Sequence, residues 1–189
     1  MMTSENSKGT AHGRLPGDRT PTETVARILR VDHAGEYGAV RIYEGQLAIL
    51  GRTAAGDVIR DMAETERRHL ATFERLLPER RVRPSVLQPL WHIAGFALGA
   101  GSALLGPKAA MACTVAVEEV IDEHYRKQVN ALGEDEAELR AICEQYRQDE
   151  VEHLETGLAQ GAREAPAFRP LTTFVKAGSR AAIWLSERI

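Results

Sequence analysis

The stretch Glu66-Arg67-Arg68-His69 has a counterpart of the same form in Glu150-Val151-Glu152-His153, and a lone glutamate precedes each copy, Glu36 the first and Glu118 the second. The two intervals, 30 and 32 residues, suit a pair of antiparallel helices joined by a short turn, each holding its acid near the middle. On an α-helix residues i and i+3 share a face, so Glu66 with His69, and Glu150 with His153, can point the same way. A single Glu-x-x-His more often marks a solvated helix face; it is the repetition at matched spacing that makes a constellation. Four carboxylates meeting inside a bundle could not be buried unpaired, and two divalent cations would cancel their charge.

Carboxylate-rich sites with one imidazole per metal suit iron(II) or manganese(II), whereas structural zinc prefers thiolates. One Glu from each of two helices plus a Glu-x-x-His from each of two others is the ligand pattern of ferritin-like di-iron and di-manganese proteins. The expected fold is therefore all-α: a ferritin-like four-helix bundle over residues 20–189, with an apolar crossover helix and a C-terminal amphipathic helix. Composition agrees. At 189 residues the chain suits one domain with a real core, and 24 basic against 27 acidic side chains give no reason to expect nucleic acid. Two cysteines, Cys113 and Cys143, are neither a disulfide framework nor a metal knuckle and point to a reducing compartment.

Residues 1–19 are polar, without an apolar run, and read as a disordered tail rather than a signal or transit peptide. Thr20-Pro21-Thr22-Glu23 combines an N-cap, a proline at the first helical position and a capping-box glutamate, so a helix should run from there to about Leu50. Gly35 and Gly38 lie inside it, each costing about 1 kcal/mol relative to Ala, which suggests that another helix or a substrate comes close. A second helix is expected from about Asp57 to Leu77, halted by Pro78, a fourth from Pro107 to about Leu132, and a fifth from about Asp135 to near Gly161. Glu118 and Glu119 compete for one inward position. Tyr43 follows Glu36 by seven residues and Tyr125 follows Glu118 by seven, nearly two turns, so the repeat selects Glu118 and leaves Glu119 to solvent or an outer position.

Between the two copies, Pro89 to Gly106 is apolar around its whole circumference, with His92 and Ser102 its only polar side chains. It is short for a bilayer span and could serve as a core crossover helix. Flanking arginines and Trp91 fit best with a helix lying in the membrane interface. A sixth, amphipathic helix is expected between Leu171 and Ile189, either capping the bundle or joining the crossover helix at a membrane.

Arg30-Val31-Asp32-His33-Ala34-Gly35-Glu36-Tyr37-Gly38-Ala39, Thr114-Val115-Ala116-Val117-Glu118-Glu119, Asp149-Glu150-Val151-Glu152-His153 and the ending Trp184-Leu185-Ser186-Glu187-Arg188 together resemble the demethoxyubiquinone hydroxylase family, over about residues 22–189. The resemblance implies a di-iron monooxygenase of ubiquinone biosynthesis that hydroxylates a demethoxyubiquinol ring with O2 and reducing equivalents from NADH. It implies iron ligands at Glu36, Glu66, His69, Glu118, Glu150 and His153, two iron ions per chain, and electron transfer through His124 and Tyr125. It further implies a polyprenyl benzoquinol substrate reached from the membrane surface past Pro89 to Gly106. A peripheral position follows, on the cytoplasmic face of a bacterial inner membrane or the matrix side of the mitochondrial one. An accessory ubiquinone-biosynthesis lipid-binding protein is a partner to look for, and self-association is left open. No Rossmann glycine fingerprint is present, so electrons would come from NADH docked on the surface or through the bound quinone. A ferritin-like ferroxidase or iron-binding protein and a peroxidase or catalase of the same fold would share the six ligands, without a use for an apolar surface helix. A non-enzymatic bundle would have no use for six convergent ionisable residues.

Overall fold

The computed structural model describes residues 19–189, so the tail read at 1–19 lies, but for its last residue, outside the described part. Six α-helices make up the fold: α1 (Pro21–Leu50), α2 (Ala54–Glu79), α3 (Gln88–Leu104), α4 (Pro107–Ala131), α5 (Ala137–Ala159) and α6 (Phe168–Ser186), and no strand occurs among the described residues. Helices α1 and α2 form one hairpin and α4 and α5 the other, with α3 crossing between them against α1 and α6 folding back onto α4.

Local chemistry explains most of the boundaries. The capping box at Thr20 is formed in both directions, the Glu23 amide bonding the threonine hydroxyl at 3.0 Å and the Thr20 amide bonding the glutamate at 2.7 Å. Three boundaries differ from the expectation. Thr53 accepts from the Gly56 amide and starts α2 at Ala54, three residues before Asp57. Pro78 does not halt α2 but lies inside its last turn, where the ladder closes regardless because the Arg80 amide still reaches the Leu76 carbonyl. The turn ends at Arg81, whose φ is 55°. The expected start of the fifth helix near Asp135 is a short 3-10 turn at Glu134–Glu136, followed by α5 proper, and Gly161 at φ 84° takes the chain out beyond it.

The glycines of α3 form its contact with α1. A Cβ on Gly99 would run into the Ile42 carbonyl, one on Gly45 of α1 into the Phe96 carbonyl, and one on Gly95 would sit 2.9 Å from the Gly38 carbonyl. The i, i+4 pair of small residues thus lets the two backbones touch, and the opposite side of α3 is left uncovered, with Leu90, Ile93, Phe96 and Leu104 exposed. None of the helices is long and apolar enough to cross a membrane.

The core lies in two main layers. One gathers Tyr43, Ile59, Met62, Ala109 to Ala112 and Val115; the other gathers Ile28, Leu29, Phe73, Leu76, Leu77, Tyr125, Leu139 and Cys143. Along each of the four bundle helices the acidic residue singled out above falls between its contributions to these layers, which seals the centre of the bundle from both ends.

Candidate metal centre

All six repeat residues are buried: Glu36 is 4% exposed, Glu66 1%, His69 2%, Glu118 2%, Glu150 1% and His153 5%. Their donor atoms fall into two groups, each within 4.8 Å: Glu36, Glu66, His69 and Glu150 in one, Glu66, Glu118, Glu150 and His153 in the other. Glu66 and Glu150 belong to both, as carboxylates bridging two cations would. The residue chosen between adjacent glutamates is the inward one, and Glu119 pairs with Lys176 at the surface.

The donor set fits metal better than it fits itself. His153 Nδ1 lies 2.9 Å from Glu66 and 3.5 Å from Glu150, and His69 Nδ1 lies 3.4 Å from Glu150 and 3.5 Å from Glu36. Yet both Nδ1 atoms, both oxygens of Glu66 and one oxygen each of Glu36 and Glu150 are fully buried with no aligned hydrogen bond. So many orphaned buried donors and acceptors would cost several kcal/mol unless a cation supplied what they lack. The proton affinities tell the same story. Burial would push the His69 imidazole down, but the facing carboxylates of Glu150 and Glu36 outweigh it and hold His69 up at about 12; the same contest leaves His153 at about 10. Burial and the Glu150 charge push Glu66 and Glu118 well up, while Glu150, despite its burial, is held down at about 2 by the two imidazoles. Protons on the imidazoles supply here the positive charge that bound metal ions could supply instead.

Around the six, the two halves of the repeat are cross-linked. The Tyr43 hydroxyl of α1 donates to Glu118 of α4 at 2.8 Å, and the Tyr125 hydroxyl of α4 donates to Glu36 of α1. The spacing of seven placed each tyrosine near its own glutamate; the bonds go to the other repeat's. His69 is gripped from behind, its Nε2 lying 3.0 Å from Asp149 and its ring stacked on Tyr146 at 3.7 Å. His124 does not touch the six. It sits beside Asp32 (3.5 Å) and Gln128 (2.8 Å), and Gln128 donates to Asp32 at 2.5 Å. Burial raises the Asp32 pKa against these contacts. Asp32, Gln128 and Asp149 are the polar residues that sequence reasoning missed; Asp32 could have been found one turn before Glu36, on its face of α1.

A cavity of about 360 Å³ lies between α1, α3, α4 and α6, walled almost entirely by apolar groups that include Gly35, Gly38, Trp91, Val117, Ile121 and Phe174; none of the six lines it, but Gly35 and Val117 are the chain neighbours of Glu36 and Glu118. A Cβ on Gly35 or Gly38 would meet nothing within 4 Å, so these glycines widen the cavity along α1. His92, one of the polar residues of α3, is held by the Tyr37 hydroxyl at 2.6 Å and is no part of the six.

The comparisons with known proteins agree with this geometry. Residues 23–186 match the family model described as Ubiquinone biosynthesis protein COQ7. The chain is similar to the 3-demethoxyubiquinol 3-hydroxylase of Rhodospirillum rubrum, 57% identical over 190 residues, covering 100% of this chain and 90% of that protein. It is also similar to the human protein named NADPH-dependent 3-demethoxyubiquinone 3-hydroxylase, mitochondrial, at 52% over 176 residues (91% of this chain, 81% of that one). The yeast 5-demethoxyubiquinone hydroxylase, mitochondrial, is 41% identical over 180 residues (86% and 77%). The human relative's name carries NADPH where the sequence reading expects NADH. Carrying that family's match over most of its length, with the repeat it was first read from buried at its centre, the chain belongs to the COQ7 family of ubiquinone biosynthesis proteins.

Proposed function

We propose that this single domain, residues 20–189, is an oxygen-dependent hydroxylase of demethoxyubiquinol, acting on the one unsubstituted carbon of a polyprenylated quinol ring. The observation that carries this reading is a pair of unlike features in one bundle: a cluster of buried carboxylates and imidazoles with orphaned atoms, and an apolar cavity whose walls include Gly35 and Val117, the chain neighbours of Glu36 and Glu118. Glu36, Glu66, His69 and Glu150 would hold one iron ion, and Glu66, Glu118, Glu150 and His153 the other. When bound, a ferrous pair supplies the two-electron reduction of O2 that inserts one oxygen atom into a C–H bond and releases the other as water.

The chain's own groups do the rest. Tyr43 and Tyr125 fix the orientation of Glu118 and Glu36 by hydrogen bonds, Asp149 and Tyr146 fix the ring of His69, and the apolar layers above and below keep bulk water from the centre. The cavity walls hold the quinol ring against that centre, and its isoprenoid tail leaves toward the exposed apolar side of α3 and the exposed Phe174 and Trp184 of α6. That rim suits a peripheral seat on a membrane, at the inner membrane of a bacterium or the matrix face of a mitochondrion, and also suits an accessory lipid-binding protein or a second copy. Electrons come from reduced nicotinamide, by way of the neighbouring His124 and Tyr125 or of the bound quinone itself.

The test is anaerobic reconstitution with ferrous iron, followed by oxygen, NADH or NADPH in parallel, and a short-chain demethoxyquinol, with the product identified by mass. One added oxygen atom per ring is expected, and none from Glu118→Ala, whose far-UV circular dichroism should stay helical. Undiminished turnover in that variant would refute the ligand assignment.

A further inference from the structure

The two metal positions share Glu66 and Glu150, yet what lies behind their imidazoles is different. Behind His69 stands a carboxylate: its Nε2 is 3.0 Å from Asp149, which Gln145 holds in turn at 3.0 Å, and Tyr146, stacked on the ring, is tied by its hydroxyl to Thr72 at 2.7 Å. Behind His153 stands a space. Its Nδ1 faces Glu66 and Glu150, and among the described residues no hydrogen bond or ion pair reaches its outer nitrogen, Nε2. His153 forms part of the wall of a second cavity, about 410 Å³ and polar, set between α2 and α5 and lined also by Asp61, Thr65 and Arg68 from the one and Asp149 and Glu152 from the other. The register of the repeat explains the contrast. Asp149 precedes Glu150, whereas the residue that precedes Glu66 is Thr65, and its short side chain is spent on Arg68 at 2.9 Å and the Asp61 carbonyl.

This cavity shares no lining residue with the apolar one, and it lies between α2 and α5, which touch only sparsely. We propose that it is the port through which the chain takes up and loses divalent metal, and that the position made by Glu66, Glu118, Glu150 and His153 is the exchangeable one, while the position at His69 is held. The proposal rests on the two-metal reading above. A carboxylate behind a ligating histidine fixes its tautomer and raises its basicity, and losing such a partner typically costs about 10- to 100-fold in metal affinity. Asp61 and Glu152, exposed at the mouth and in no ion pair among the described residues, would draw a hydrated cation inward. The buried imidazole at the end of the passage provides the ligand that the cation meets.

The experiment uses the full chain, stripped of metal and titrated anaerobically with cobalt(II), with visible absorption to follow binding and a chelator to time release. Wild type should bind two ions in two steps separated about 10- to 100-fold, and release one fast and one slowly. Thr65→Asp should tighten the weak step and slow the fast release; Asp149→Asn should weaken the tight step and narrow the gap. The double variant Asp61→Asn with Glu152→Gln alters exposed residues only, and should slow loading several-fold while the far-UV spectrum is unchanged. Two equal steps, a folded Thr65→Asp whose weak step does not move, or wild-type loading in the double variant would overturn the proposal. Binding of fewer than two ions by wild type would instead overturn the metal-pair reading on which it rests.

Discussion

The two sides of the acid and imidazole cluster are built on opposite terms. Toward α1, α3, α4 and α6, α1 and α3 close on one another through glycines, and the space left among the four is apolar. Toward α2 and α5 the helices hardly meet, and the space is lined by charge. A centre that must admit a greasy ring and also exchange ions with water cannot do both through one opening, because an apolar wall that favours the ring raises the cost of passing a hydrated cation. Two separate cavities would resolve that conflict.

The largest expected effect removes a carboxylate common to both donor groups. Glu66→Ala or Glu150→Ala deletes a group shared by the two metal positions, and hydroxylation should fall by well over the about 100-fold typical of an outer partner's loss, with bound metal counted by mass spectrometry falling below two. If both ions stay bound, the sharing of these carboxylates is wrong. Next, Gly178→Leu projects a side chain into the apolar cavity from a position where a Cβ meets nothing within 4 Å. Turnover of the short-chain quinol should drop about tenfold, mostly through a raised KM, with the urea midpoint unmoved. An unchanged KM would detach the substrate from this cavity. Gly99→Val strains the α1–α3 contact instead and should cost about 1–3 kcal/mol of stability in urea denaturation, with less effect on KM. The smallest effect contrasts the two sides by access to water. Burial pushes the Cys113 thiol up to about 12 and raises Cys143 as well, so the folded chain should resist iodoacetamide from pH 7 to 9, where the unfolded chain labels faster as pH rises. Thr156→Cys, in the wall of the polar cavity, should label within that range; protection there would mean that this side is closed too.

The repeat made the four bundle helices and the six buried groups legible because i, i+3 ligand pairs and turn-length spacing are properties of one helix or one hairpin. The seven-residue tyrosine spacing likewise told Glu118 from Glu119. What escaped was what only neighbouring helices decide. That Tyr43 bonds Glu118 and Tyr125 bonds Glu36, that Asp149 braces His69 from another hairpin, and that Asp32 and Gln128 embrace His124, all depend on how helices face one another. Pro78 misled for a local reason, since a proline whose missing N–H falls in a closing turn breaks little. The glycines of α3, in sequence only part of an apolar run, are the surface by which that helix docks.

The exchanged tyrosine bonds have a consequence for the chain as a whole. Each hairpin carries the phenol that completes its sibling, so neither is a self-sufficient ancestor of the other in its present form. If the polypeptide were severed ahead of Pro107, the pieces would regain their centre only by reuniting, and metal would then act as the glue of a split protein.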